Sequence, residues 1–231
     1  KTDVFSRFIR GVERIGGFGG KSDVLASSMV YGGRPDAYKD ELETIRTATP
    51  AQVKEAGQRW LSDGVYVLQI DPYPAGLKAA AAGADRKKMP EGGAAPAVVF
   101  PKVEKATLSN GMKVILAERH AIPVVDFNMM LDAGFSADQG GIPGTASLAM
   151  GMLDEGTKTR TSLQISDEEQ RLGANVGAGS DLDTSYVRLS SLKPNLGASL
   201  ALYADIVLNP AFPDADFKRI QPRDRIRFAL R

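Results

Sequence analysis

Apolar positions in the first sixty residues recur at helical spacing, whereas from residue 100 onward helical and strand periods alternate. Val4, Phe5, Phe8, Ile9, Val12 and Ile15 predict a helix over 3–15. The cluster Gly16-Gly17-Phe18-Gly19-Gly20 breaks it. A second helix is expected from Asp23 to Tyr31, stopped by Gly32-Gly33, and a third over 36–47 with Tyr38, Leu42 and Ile45 inward. Thr49-Pro50 supplies an N-cap followed by proline at the first helical position, opening a helix that runs to about Trp60. Residues 65–70 (VYVLQI) then read as a strand closed by Asp71-Pro72.

Over 75–100 the periodicity vanishes and Ala, Gly and Pro dominate, which predicts an interdomain linker. An Ala-rich helix over 77–84 would be short and marginal by itself. Beyond Phe100 two apolar runs flank Ser109-Asn110-Gly111, and Asn-Gly between such runs is a strong hairpin signal. Pro123–Leu131 reads as a strand and Gly144–Gly156 as a short helix entered from a Gly/Pro turn. A helix over Ser162–Leu172, an extended segment over 174–181 and an alternating strand over Ser185–Leu192 follow. The next helix, Pro194–Leu208, places Leu196, Leu200, Tyr203 and Val207 on one face, and Pro213-Asp214 opens a last one. The expected fold class is α+β: two partial domains of helices packed on mainly antiparallel sheet, 1–74 and 101–231, joined by the linker.

Composition narrows the functions. Of 231 residues, 43% are hydrophobic and 25% charged, ordinary for a globular chain with ample core. Lys+Arg 29 against Asp+Glu 28 gives no bulk attraction to nucleic acid or acidic membrane. Without cysteine there is no disulfide, and no apolar run reaches membrane-spanning length. Lys1-Thr2-Asp3-Val4-Phe5 lacks a signal-peptide design and reads as mid-helix, the expectation for a chain cut from something longer.

Gly20-Lys21-Ser22 matches the end of a phosphate-binding loop, but the required opening glycine is Ile15 and the preceding segment reads as a helix. A nucleotide-binding module using Gly16–Ser22 is therefore a minor alternative to a helix-to-helix turn needing positive φ. The single histidine, His120, sits at a strand end and is expected to be exposed or hydrogen-bonded. Asp181 and Asp183 read as turn-capping, and Asp167, Glu168 and Glu169 as a solvated helix face.

The stretch Gly144-Thr145-Ala146-Ser147-Leu148-Ala149-Met150-Gly151-Met152-Leu153-Asp154-Glu155-Gly156-Thr157 resembles the inverted zinc motif of the pitrilysin/insulinase peptidases, roughly G-[TI]-A-H-x-L-E-H-M-x-F-x-G-T. The frame matches at Gly144, Thr145, Ala146, Met152, Gly156 and Thr157. Ser147 stands at the first histidine position, Met150 at the glutamate and Gly151 at the second histidine. A helical H-x-x-E-H holds zinc by two imidazoles on one face beside a carboxylate that activates water. Serine, methionine and glycine supply neither imidazole nor base. The family's third ligand, a glutamate on the last helix, falls nearest Arg227, after Pro222. All four catalytic positions therefore read as lost.

The order of the remaining pieces strengthens the resemblance. ERIGGFGGKSD, TPAQV and a strand ending in DP over 1–74 are similar to the close of the first half of a two-half bacterial peptidase of this type. LSNGMKV, PVV with DAG, LGANVGAGSDLDTSY and NPAFPDADF over about 101–220 are similar to the opening of its second half. The resemblance implies a fragment of a zinc metallopeptidase that carries no cofactor or metal of its own and is inert alone. The catalytic half, in the remainder of the parent chain, would hold zinc, and both halves would enclose peptide substrates in a chamber. It also implies that the strand matching Asn175–Ala178, which pairs with substrate backbone in catalytic halves, serves here mainly for packing. A scaffold subunit without peptidase activity is the other outcome within the family. Bacterial relatives suggest a periplasmic location.

Overall fold

The computed structural model describes residues 1–61, 64, 67–69, 99–229, with side chains to residue 222. Residues 75–98 of the linker expected over 75–100, its marginal helix, and Val65, Tyr66 and Ile70 of the expected strand lie outside the described residues; 67–69 and 99–100 carry no regular structure. Among the described residues, eight helices and two antiparallel sheets give an α+β arrangement. Contacts group Lys1–Thr47 with His120–Arg231 in one compact unit and Ala48–Arg119 in another.

The smaller unit holds α4 (Pro50–Trp60) and the hairpin β1 (Val103–Thr107) and β2 (Lys113–Ala117). Thr49 and Gln52 form a reciprocal capping box at the start of α4, satisfying donors that the first turn leaves unpaired. The hairpin closes with Thr107 opposite Lys113, and Gly111 takes the left-handed conformation (φ 85°) that its turn demands.

The larger unit is built on the three-stranded sheet β3 (Val124–Leu131), β5 (Ser185–Leu192) and β4 (Asn175–Ser180), with β5 central. Alternation in SYVRLSSL turns Ser185, Val187, Leu189 and Ser191 inward, and all four are buried. Onto this face pack α6 (Ser162–Leu172) through Ile165 and α7 (Leu196–Leu208) through Leu202 and Ile206, all 2% exposed or less. Each such side chain removed from water stabilises by about 1.5–3 kcal/mol. Tyr203 adds a hydroxyl hydrogen bond to the Val187 carbonyl (3.0 Å), and the buried Ser191 hydroxyl donates to that of Ser199 at 2.9 Å, which in turn donates to the Asn195 carbonyl.

The fully buried residues of α7 are Ser199, Leu202 and Ile206; of the stripe expected from spacing, Tyr203 and Val207 pack half-buried against the core and Leu196 and Leu200 are half-buried. This helix is apolar nearly all round, so periodicity alone does not choose its inner face. Helix α1 (Thr2–Gly11) is also shorter than expected: Ile15 lies beyond it and is 79% exposed. Helices α2 (Lys21–Gly32) and α3 (Tyr38–Thr47) follow, with Tyr38, Leu42 and Ile45 half-buried as the spacing predicts.

Helix α1 is seated on the sheet unit by small residues. Ser6 is buried, and a Cβ placed on Gly173 would come within 3.0 Å of the Ser6 Cβ. Gly173 also ends α6 at φ 63°, where a side chain is strained. Arg10 reaches across to donate to the Gly173 carbonyl (2.8 Å) and the Ser190 hydroxyl (3.1 Å).

Candidate functional site

Helix α5 (Thr145–Gly151) carries the residues singled out by the sequence. Its entry is set by Gly144 at φ 91° and by Asp138, whose carboxylate accepts from the Gly144 amide (2.9 Å) and the Ala146 amide (3.2 Å). An anion facing the exposed amides of a helix start is favourable. Asp138 was not among the sequence candidates, because it acts across a turn six residues upstream of Gly144.

Ser147, Met150 and Gly151 fall at i, i+3 and i+4 and so share one side of α5. Ser147 is half-buried and Gly151 exposed. Met150 packs against the core of Leu153, Ile165, Val187, Leu202 and Ile206. The position that would carry a water-activating carboxylate therefore contributes apolar packing. These donors do not fit zinc: one hydroxyl and one thioether replace two imidazoles and a carboxylate. Among the described residues no group of three or more His, Cys, Asp or Glu could hold a metal ion. Arg227 lies on α8 (Asp214–Ala229), which runs continuously through Pro222; its side chain falls outside the described residues.

Beside α5 lies a cleft of about 450 Å³, lined by Ile142, Pro143, Leu148, Met152, Phe212 and Phe217. Phe212 has φ 45°, a left-handed conformation that is uncommon for an aromatic residue.

A polar cluster stands behind the end of this segment. Asp205 on α7 accepts from the Thr157 hydroxyl (2.7 Å), the Arg160 guanidinium (2.7 Å), the Thr159 hydroxyl (3.1 Å) and the Asn209 amide (3.0 Å). The Thr157 bond leads a set of donors that holds its carboxyl down at about 2. Arg160 also donates to Glu168 at 2.8 Å. Glu168 and Glu169 are thus not the solvated face expected: Glu168 is paired, and the Glu169 carboxylate accepts from the Val176 amide (2.5 Å) on the edge of β4. Burial raises the Glu169 carboxyl above the usual range, against the pull of that hydrogen bond and with a smaller push from Asp154. Asp167 alone of the three is exposed.

Asp181 and Asp183 sit in the tight turn joining β4 to β5, closed by the Asp181 amide on the Thr184 carbonyl at 2.7 Å. Carbonyls of Asp183, Asp181 and Leu182 accept from Gly134, Phe135 and Ser136 in turn. A Cβ on Gly134 would stand 2.4–2.5 Å from backbone atoms of that turn, so only glycine fits the DAG corner. His120 is exposed beyond β2.

The glycine loop is not a phosphate cradle. Helix α1, not a strand, precedes it, and four amides at its closing end are already used. Gly19 donates to the Asp23 carboxylate (2.8 Å), Gly20 to Gly17, Lys21 to Arg14 and Ser22 to Ile15.

An α+β unit of helices packed on antiparallel sheet is the class that this geometry defines. Residues 113–227 match the family described as insulinase, peptidase family M16. Just under half of the chain thus matches the insulinase family of peptidases. It is 29% identical over 150 residues to the beta subunit of the mitochondrial-processing peptidase of Rattus norvegicus, covering 62% of this chain and 30% of that protein. An uncharacterized zinc protease of Rickettsia bellii is 31% identical over 114 residues, 48% of this chain and 27% of the relative. Among solved structures, an inactive domain of an M16 peptidase from Pseudomonas fluorescens aligns with TM-score 0.51 and 31% identity over 53% of this chain and 30% of that one. The chain spans under a third of the length of these relatives.

Proposed function

We propose that this chain is a non-catalytic portion of a zinc-dependent peptidase whose active zinc site lies in the other half of the parent protein. The observation that carries this reading is Met150. In a frame that keeps Gly144, Thr145, Ala146, Met152, Gly156 and Thr157 of the family motif, the position of the catalytic glutamate is turned into the core, and Ser147 and Gly151 beside it offer no imidazole. Likeness to a domain described as inactive supports the same reading. The rat relative is a subunit by name, which supports work alongside a partner half.

In this reading the chain shapes the wall of a substrate chamber. Strand β4 lies at an edge of the three-stranded sheet, where an extended peptide can add as a further strand. The Val176 amide is already taken by Glu169, so peptide pairing along β4 would begin beyond it.

The test is zinc-dependent cleavage of a mixed peptide pool by the parent protein, with this chain alone as control. A parent that cleaves and a chain that does not supports the proposal. A parent that neither binds zinc nor cleaves moves the reading to a scaffold subunit. A chain that cleaves alone and is stopped by a chelator overturns it.

A further inference from the structure

Tyr186 and Arg188 lie two residues apart on β5 and so share the sheet face opposite Val187 and Leu189. The Arg188 guanidinium carbon sits 4.1 Å from the centroid of the Tyr186 ring. The ring is itself held down: a Cβ on Gly179 would come within 2.5 Å of the Tyr186 hydroxyl, so the tyrosine lies across bare backbone of β4. Gly177, the register partner of Arg188, is different. Nothing stands within 4 Å of where its Cβ would be. One glycine is roofed by the tyrosine, and the other leaves an open slot beside the guanidinium.

Arg188 is exposed, and among the described residues none accepts a hydrogen bond from its guanidinium or forms an ion pair with it. Arg10, Arg160 and Arg219, by contrast, are each engaged in bonds across the fold. A guanidinium already stacked on an aromatic ring loses less rotamer freedom when it binds, and its planar fork matches a carboxylate through two parallel bonds.

We infer that Arg188, stacked on Tyr186 beside the open backbone at Gly177, is a binding site for a peptide carboxylate. Asp126 occupies the same face, two residue pairs along the β3–β5 ladder from Asn128 opposite Arg188. Its negative charge disfavours a dianion such as phosphate more than a monoanionic carboxylate. That the carboxylate belongs to a peptide rests on the peptidase reading; the carboxylate chemistry rests on Arg188 alone. The source is a chain terminus or an acidic side chain.

Titration of the chain, followed by NMR of the Arg188 Nε–H resonance, tests this. Three acetylated short peptides are compared: one with a free C-terminal carboxylate, one amidated, and one amidated with an internal aspartate. Inorganic phosphate is the fourth probe. At least one acid peptide should move the resonance with millimolar affinity, about 4 kcal/mol of binding, while the amidated neutral peptide does not. Whichever acid peptide binds identifies the source. Arg188→Gln should weaken binding by about tenfold or more, and Arg188→Lys should weaken it too, because the fork is lost. Circular dichroism confirms that both variants remain folded. The site is refuted by equal binding to Arg188→Gln, by tighter binding of phosphate, or by no response to either acid peptide at about 10 mM, well above the millimolar range expected. The titration uses neither zinc nor cleavage, so a parent without peptidase activity leaves its outcome intact.

Discussion

Arg160 and Asp205, forty-five residues apart, meet at 2.7 Å and tie the segment leaving α5 to the core helix α7. Both side chains are mostly shielded, Asp205 at 13% exposed, and three further donors complete the carboxylate. Asp205→Asn keeps the shape but removes the charge that those donors serve. It should destabilise by about 1.5–3 kcal/mol, measured by urea unfolding at neutral pH. A change below about 0.5 kcal/mol, the range of inconsequential surface substitutions, would show the cluster to be ornamental.

The same carboxylate gives a pH signature. Its folded value, about 2, lies below the ordinary 3.8, so the unfolded chain binds more protons between those values. Its stabilisation is complete above the unfolded value and is lost as pH falls towards about 2. Unfolding free energies measured from pH 5 downward should therefore drop more steeply in the native chain than in Asp205→Asn. Parallel curves would contradict this.

Glu169 should behave in the opposite sense. Its carboxyl is raised by burial, so the folded state favours the proton and stability declines as pH rises through the raised value. Glu169→Gln retains an oxygen for the Val176 amide without the buried charge, and should be as stable as the native chain or more so at pH 7. Glu169→Ala leaves that amide without its partner and should cost about 1–2 kcal/mol. Equal losses for both substitutions would mean that charge, not hydrogen bonding, is what matters there.

Met150 tests the reading of the altered motif. Met150→Leu conserves volume and should cost less than about 1.5 kcal/mol. Met150→Glu restores the family residue but places a carboxylate against Leu153, Val187 and Leu202, and should cost about 1–3 kcal/mol. Zinc should not recover that loss, because Ser147 and Gly151 add no ligand. Thermal melts with and without zinc decide it, and a zinc-dependent rise in the Met150→Glu variant would overturn the assignment.

The glycine loop should not respond to nucleotide. With the amides of Gly19, Gly20, Lys21 and Ser22 bonded internally, a phosphate would have to displace Asp23 and break the loop. Addition of ATP and magnesium should leave the melting temperature unchanged, and a saturable rise would revive the nucleotide reading.

Much of this protein is written locally. Thr49 with Gln52, and Thr161 with Gln164, announce two helix starts, and Asn110-Gly111 announces the hairpin, because caps and tight turns depend on neighbours in the chain. That these three positions of α5 offer no zinc ligand is also a sequence property: no folding can turn Ser147, Met150 and Gly151 into imidazoles and a carboxylate. Tertiary structure decided what each face meets. It turned α7 inward through Leu202 and Ile206, since a helix apolar on every side carries no preference of its own. It drew Glu168 and Glu169 out of solvent, put Asp138 at the start of α5, and left Arg188 stacked beside an empty slot. Periodicity states which residues share a face; only the packing of distant segments supplies the partner opposite, and with it the charge, burial and open space on which function depends.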